Sequence, residues 1–153
     1  MFMQVPGYVI AQMLASTLEN ETLRLIFNVT HDQFVGNVPP GSDLQSLVME
    51  IIITFYLMFV ITAITDDRGT GQLAGVAIGS TVLLNAIFAG PISGASMNPA
   101  RSIGPALVWN EYKGLWVYIL GPIVGAIGGA WAYNAVRFKP LSEITMGAFT
   151  LQL

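Results

Sequence analysis

The chain has 153 residues, of which 54% are hydrophobic and only 10% charged, with a mean hydropathy of +0.64 and a formal net charge of −3. A soluble domain carries about 25% charged residues, so this sequence is too poor in charge to cover a water-facing globule, and lipid is the expected solvent for much of it. The small acidic balance argues against nucleic acid as a partner, the absence of cysteine excludes disulfides and thiol chemistry, and His31 alone leaves little for a metal centre.

The first ten residues, "MFMQVPGYVI", lack the basic stretch of a secretory signal, so any membrane segments are expected to be retained. A helix is expected over 2–18, "FMQVPGYVIAQMLASTL", as a spanning segment despite Gln4, Pro6 and Gln12. Residues 19–45 then read as a long polar connection that ends in the turn-rich "NVPPGSD". It holds two glycosylation triplets, at Asn20 and Asn28, which arise readily by chance, and Asn20 lies close to the expected bilayer edge.

Crossing a hydrocarbon core of ~30 Å takes ~20 helical residues. Residues 46–65 meet that length with the single charge Glu50, and residues 71–90 and 115–135 meet it with none. The "DDRGT" at 66–70 is a tight loop, and residues 141–153 form a tail. Counting alternate sides, Arg68, Arg137 and Lys139 share one membrane face while Arg24 and Lys113 share the other, which favours a cytoplasmic C-terminus. Gly71, Gly75 and Gly79 recur every four residues, as do Gly121, Gly125 and Gly129, so each series lets another backbone approach one helix face.

Between the last two spans lies "PISGASMNPARSIGPALVW", which is too apolar for a solvated loop and fits one that enters the membrane and leaves on the same side. Asn98 is a favoured helix cap and Pro99 a favoured first helical residue, so a half-helix is expected over 99–108, about 15 Å long. The preceding "GPISGAS" is then extended chain at membrane depth, which is tolerated only where protein buries it or water lines it. Arg101 falls in the first turn, where a cation opposes the helix dipole, and at membrane depth it costs ~2.5–3.5 kcal/mol on insertion scales. One reading makes it the wall of a pore that repels cations and donates to neutral solutes. The other makes it an arginine that reaches the interface or pairs with a buried acid. Glu50 either accepts from amides of the extended loop or pairs with an arginine. A proton relay lacks a second acid within any span.

"SGASMNPARSIGPAL", with "GQLAGVAIGSTVLLNAIFAG" before it and "LWVYILGPIVGAIGGA" and "KPLSEIT" after it, resembles the aquaporin and glyceroporin channels, and within them the plant nodulin-26-like branch. The likeness covers nearly all of residues 1–145. It implies that Asn98, Pro99 and Ala100 form one of two pore signatures, that Arg101, Ala95 and Ala86 belong to the selectivity filter, and that Glu50 braces the extended loop. The small Ala86 implies a filter wide enough for solutes larger than water. The first two helices, the other signature loop and one filter residue of that family have no counterpart here, and Ser142 and Thr145 are the remaining candidates for phosphorylation.

The expected fold is therefore all-α: a transmembrane bundle of four spanning helices plus one re-entrant half-helix, over residues 1–140. The expected function is passive conduction of water and small uncharged solutes (glycerol, urea or metalloid acids), with no enzyme chemistry and no cofactor or metal. The alternative is a truncated, non-conducting chain that is inert or acts only by assembling with full-length subunits. An ion-coupled transporter is disfavoured because the spans lack a coupling site. The partners implied are the lipid bilayer, the solutes, and copies of the chain (a homo-oligomer, a tetramer by the resemblance). The expected location is a plasma membrane or another plant endomembrane.

Overall fold

In the computed structural model, residues 4–27, 36–66 and 73–137 are described. Asn28, Arg68, Gly71, Lys139, Ser142, Thr145 and the tail lie outside the described residues. Among those described the architecture is all-helical, in the order α1 (Val5–Phe27), α2 (Asp43–Thr65), α3 (Ala74–Ser93), α4 (Pro99–Trp109) and α5 (Leu115–Val136). Three of these, α2, α3 and α5, are long and apolar enough to cross a membrane.

Two boundaries differ from the sequence reading. The first helix does not stop at residue 18 but continues to Phe27, through residues assigned to a polar connection. No proline or glycine follows Gly7 in this helix, and Leu, Glu and Arg are good helix formers, so polarity alone does not end it. Gln12, Glu19, Asn20 and Glu21 dilute its apolar character, and α1 does not join the three apolar helices. The second difference is at Gly90–Ser93, expected as extended chain and found as the last turn of α3. Gly94, at φ +83, ends that helix, its amide donating to the Gly90 carbonyl at 2.9 Å. A left-handed glycine is the usual way to stop a helix without a Cβ penalty.

Helices α2 and α5 run side by side in the same direction and form the tightest pair. A Cβ placed on Gly121 would stand 2.7 Å from Glu50 Cβ, and one on Gly125 would stand 2.5 Å from the Ile51 carbonyl oxygen. On Gly129 it would collide with the Phe55 carbonyl. These glycines replace side-chain packing with backbone contact, as helices in lipid require. Both ends of the pair are tied: Trp116 Nε1 donates to Asp43 at 3.0 Å, and the Tyr133 hydroxyl donates to Asp66 at 2.7 Å.

The glycines of α3 behave differently. Around Gly75 and Gly79 there is nothing within 4 Å of an added Cβ, so this face of α3 has no neighbour among the described residues. Gly75→Ala and Gly79→Ala are accordingly expected to leave the melting temperature of the detergent-solubilised chain unchanged or slightly higher, since alanine is the better helix former. A clear fall would mean that the face is covered.

Candidate functional site

The segment between α3 and α4 has five non-helical residues, 94–98, and three of them lie in the left-handed region: Gly94 at φ +83, Ala95 at +48 and Met97 at +54. For Ala95 and Met97 this costs of order 1–3 kcal/mol each and persists only where surroundings over-determine it. The Ala95 amide donates to the Ser93 hydroxyl at 3.2 Å, and a carboxylate holds the rest. Glu50, on α2 and fully buried, accepts through Oε1 from the Ser96 amide at 2.9 Å and from the Ser93 hydroxyl at 2.7 Å. Its Oε2 accepts from the Met97 amide at 2.9 Å. The carboxylate thus spends its lone pairs on the loop's amides and makes no ion pair with Arg101.

The carbonyls that close α3 are held as well. Ser46 donates to the Ile92 carbonyl at 3.2 Å, and the buried Tyr118 hydroxyl donates to that of Ser93 at 2.8 Å. Such last-turn carbonyls have no intrahelical partner and would otherwise be orphaned in an apolar setting. Asn85 is 3% exposed on α3 and donates to the Ile53 carbonyl at 2.9 Å, with Met97 Sδ 3.3 Å away. Ser46, Ser93, Ser96, Asn85 and Tyr118 all serve the site and were missed by the sequence reading. The available signal was their polarity inside or beside apolar runs, where unpaired polar atoms are expensive.

Helix α4 begins as its sequence dictates. Asn98 is the N-cap at φ −150 and ψ 114, its Oδ1 accepting from the Ala100 amide at 3.0 Å, with Pro99 first in the helix. The eleven residues to Trp109 span about 16 Å. Because the cap consumes Oδ1, the free part of the Asn98 side chain is its NH2, which has only a long 3.5 Å contact to Gln12 Oε1. The NH2 is therefore the part of Asn98 left to donate outward.

Arg101 sits in the first turn of α4, and its Nη1 donates to the Ala95 carbonyl at 2.7 Å and more distantly to that of Ser96 at 3.5 Å. Carbonyls, not an acid, hold the charge. The helix bends its own rules here: Pro105 has no N–H for the Arg101 carbonyl, and the Ser16 hydroxyl from α1 donates to that oxygen at 3.3 Å instead. Gly104 admits this approach, since its Cβ would stand 2.6 Å from Ser16 Cβ. Further along the same seam Arg24 lies 5.4 Å over the Trp109 ring. Asn20, of the first glycosylation triplet, is 6% exposed within α1 and donates to the Ser16 carbonyl at 3.0 Å.

Two hollows meet at Arg101. One, of about 400 Å³, is lined by Glu19, Asn20, Asn37, Gly94 and Pro105 among others; the second, of about 280 Å³, by Gln12, Ser16, Glu19 and Asn98 among others. A third, apolar hollow of about 260 Å³ lies against Met97, Asn98 and Pro99 beside Thr54 and Pro122. The structure thus brings Asn98, Pro99, Ala100, Arg101 and Ala95 together, with Ala95 and Ala100 buried. It leaves Ala86 exposed on α3, and Ala86 does not line either hollow at Arg101. Among the described residues no group of acids and histidines could hold a metal ion.

Comparison with known sequences is decisive at this point, because the major intrinsic protein profile matches residues 1–133. The chain belongs to the major intrinsic protein family. It is 63% identical over 145 residues to Aquaporin NIP1-1 of Zea mays, which covers 93% of this chain and 51% of that protein. It is 60% identical over 152 residues to Nodulin-26 of Glycine max, covering 97% and 56%, and 62% identical to Aquaporin NIP1-2 of Arabidopsis thaliana, covering 93% and 52%. The chain spans about half the length of these relatives. Within the major intrinsic protein family it is thus similar to the nodulin-26-like aquaporins, in agreement with the resemblance read from residues 71–107, 115–130 and 139–145.

Proposed function

We propose that this chain supplies one half of an aquaporin-like pore for water and small uncharged solutes such as glycerol, urea or metalloid acids. The observation that carries the reading is the pair of donors at the loop. The cap leaves the Asn98 NH2 to donate, and Arg101, held on backbone carbonyls, presents a positive charge beside hollows on two sides, both of which Glu19 also lines. A neutral solute that gives up its water finds donors at both points, whereas a cation meets the Arg101 charge. Helix α1 crosses as a fourth span, the C-terminus lies in the cytoplasm, and copies assemble as an oligomer in a plasma membrane or another plant endomembrane. The relatives' name, aquaporin, and the apolar helices support a membrane channel over an enzyme.

A second reading is favoured by the open face of α3. With Gly75 and Gly79 uncovered and Ala86 exposed, the wall opposite Arg101 is absent among the described residues. On this reading the chain conducts only when a full-length subunit provides that wall, and alone it is inert.

Stopped-flow swelling of liposomes that hold the chain alone, with water, glycerol and boric acid, separates the two. Excess permeability over empty liposomes supports an autonomous pore that copies of this chain complete between them, and none from a folded, inserted sample supports the need for a full-length subunit. In whichever preparation conducts, Arg101→Ala is expected to admit protons or small cations by roughly tenfold more, the size of effect that ~1.4 kcal/mol of lost barrier gives. Unchanged selectivity would remove Arg101 from the pore wall.

A further inference from the structure

We propose that Asn37 is a positioning residue for Arg101, clamping the two arms of the re-entrant loop so that the Ala95 carbonyl stays on the guanidinium. Asn37 lies in the connection that precedes α2, far from the loop in sequence. Its Nδ2 donates to the Gly94 carbonyl at 3.1 Å, and its Oδ1 accepts from the Ser102 hydroxyl at 3.2 Å. One amide therefore bridges the descending arm and the half-helix. Each anchor is adjacent in sequence to a residue that sets the arginine. Gly94 precedes Ala95, whose carbonyl oxygen is 2.7 Å from Arg101 Nη1, and Ser102 follows Arg101 itself. The Ser102 hydroxyl also meets that of Ser96 at 2.7 Å, and Ser96 supplies the second carbonyl facing the guanidinium.

The clamp stands on a fixed base. Two residues on, Pro39 is buried against Gly114, whose Cβ would stand 2.5 Å from the proline ring and whose φ is +67. Ser42 then caps α2 by accepting from the Gln45 amide at 3.2 Å. At the other end, Gly94 is doubly required: its φ is +83, and a Cβ there would collide with Asn37 Nδ2. Only a side chain with both a donor and an acceptor closes the bridge. Alanine removes both links. Aspartate keeps the Ser102 link but sets a carboxylate against the Gly94 carbonyl.

Without the clamp, the arm that carries Ala95 at φ +48 is free to relax, and the Ala95 carbonyl leaves the guanidinium. A consequence for solute selectivity rests on the filter reading of Arg101 given above. The geometry itself does not, and the test reads it without any flux.

The full chain in lipid nanodiscs is treated with phenylglyoxal, which adds to free guanidinium groups, and modification is followed at each arginine by peptide mass spectrometry. Asn37→Ala is expected to speed modification at Arg101 by roughly fivefold, the scale of one or two neutral hydrogen bonds lost, with Arg24 and Arg137 unchanged as internal references. Ser102→Ala, which also cuts the link to Ser96, is expected to raise Arg101 modification as well, and the double variant to give less than the product of the two single effects, because they share the Asn37–Ser102 link. Equal Arg101 rates in Asn37→Ala and the parent chain overturn the clamp. If Asn37→Ala raises all arginines together, it has lost the fold; Asn37→Asp then takes its place, and the absence of an Arg101-selective rise in both Asn37→Asp and Ser102→Ala overturns the proposal. Failure of the parent chain to conduct would refute the autonomous pore and leave the modification result standing.

Discussion

Glu50→Ala is expected to be the most damaging single substitution, lowering stability by roughly 3–9 kcal/mol, the sum for three orphaned donors at about 1–3 kcal/mol each. Three donors lose their acceptor at once: the Ser96 and Met97 amides and the Ser93 hydroxyl. None can turn to water, because the site around Glu50 is fully buried. The loss also takes the partner from the amide of left-handed Met97 and frees the Ser93 hydroxyl that accepts from the amide of left-handed Ala95. Glu50→Gln keeps the shape and one acceptor oxygen but points an NH2 group at a backbone N–H, so an intermediate loss is expected. Thermal unfolding of the detergent-solubilised chain, followed by size-exclusion chromatography, checks the order parent, Gln, Ala. Similar midpoints for all three would mean that the loop is held by other contacts.

The second large effect is expected at Gly125. A leucine there places its Cβ 2.5 Å from the Ile51 carbonyl oxygen and 3.0 Å from the Phe55 amide nitrogen, and these are backbone atoms that cannot rotate away. Helices α2 and α5 must separate, breaking the ties at Asp43–Trp116 and Asp66–Tyr133 and withdrawing Tyr118 from the Ser93 carbonyl. Overpacking in a well-packed core costs about 1–3 kcal/mol, occasionally more, and backbone contact puts this case at the upper end. Gly128→Ala is the control on the same helix, because its Cβ meets only a Phe55 ring edge at 3.3 Å. A melting temperature that falls for Gly125→Leu and barely moves for Gly128→Ala supports the backbone seam. Equal shifts would refute it.

What the sequence showed and what it hid divide along physical lines. The half-helix was legible because its determinants are local: an asparagine cap and a proline at the first helical position act within one turn. The three apolar spans were legible from length against bilayer thickness. The end of α1 was not, because its continuation past Leu18 carries Glu19, Glu21 and Arg24, and a polarity cue was allowed to outweigh the absence of any breaker before Phe27. The stop of α3 was misplaced because the extended arm was taken to begin at Gly90, whereas the helix runs on through Pro91 to Ser93 and Gly94 does the stopping. At the site, an amide-accepting role for Glu50 was one of two options from its lone burial, but its partners lie more than 40 residues away and no spacing rule reaches them. Ser16 and Asn37 were invisible for the same reason. Each is unremarkable in its own segment and gains meaning only from a carbonyl that another element leaves open.

The separation between Glu50 and its donors has a bearing on how the chain is made. The carboxylate leaves the ribosome 46 residues ahead of the Ser96 amide that it accepts from. At about 5–20 residues per second, that is a wait of roughly 2–9 s. Throughout it, α2 has to enter or stay near the lipid with an acid that nothing yet neutralises, against an insertion penalty of ~2.5–3.5 kcal/mol for such a group at mid-helix. The dense run of Ile, Leu, Phe, Met and Val on either side of Glu50 supplies the compensating affinity for the bilayer. The hydrogen bonds that hold this carboxylate can therefore form only once α3 and the turn after it have been made, so the partners of the acid on α2 come from the loop that the acid itself holds.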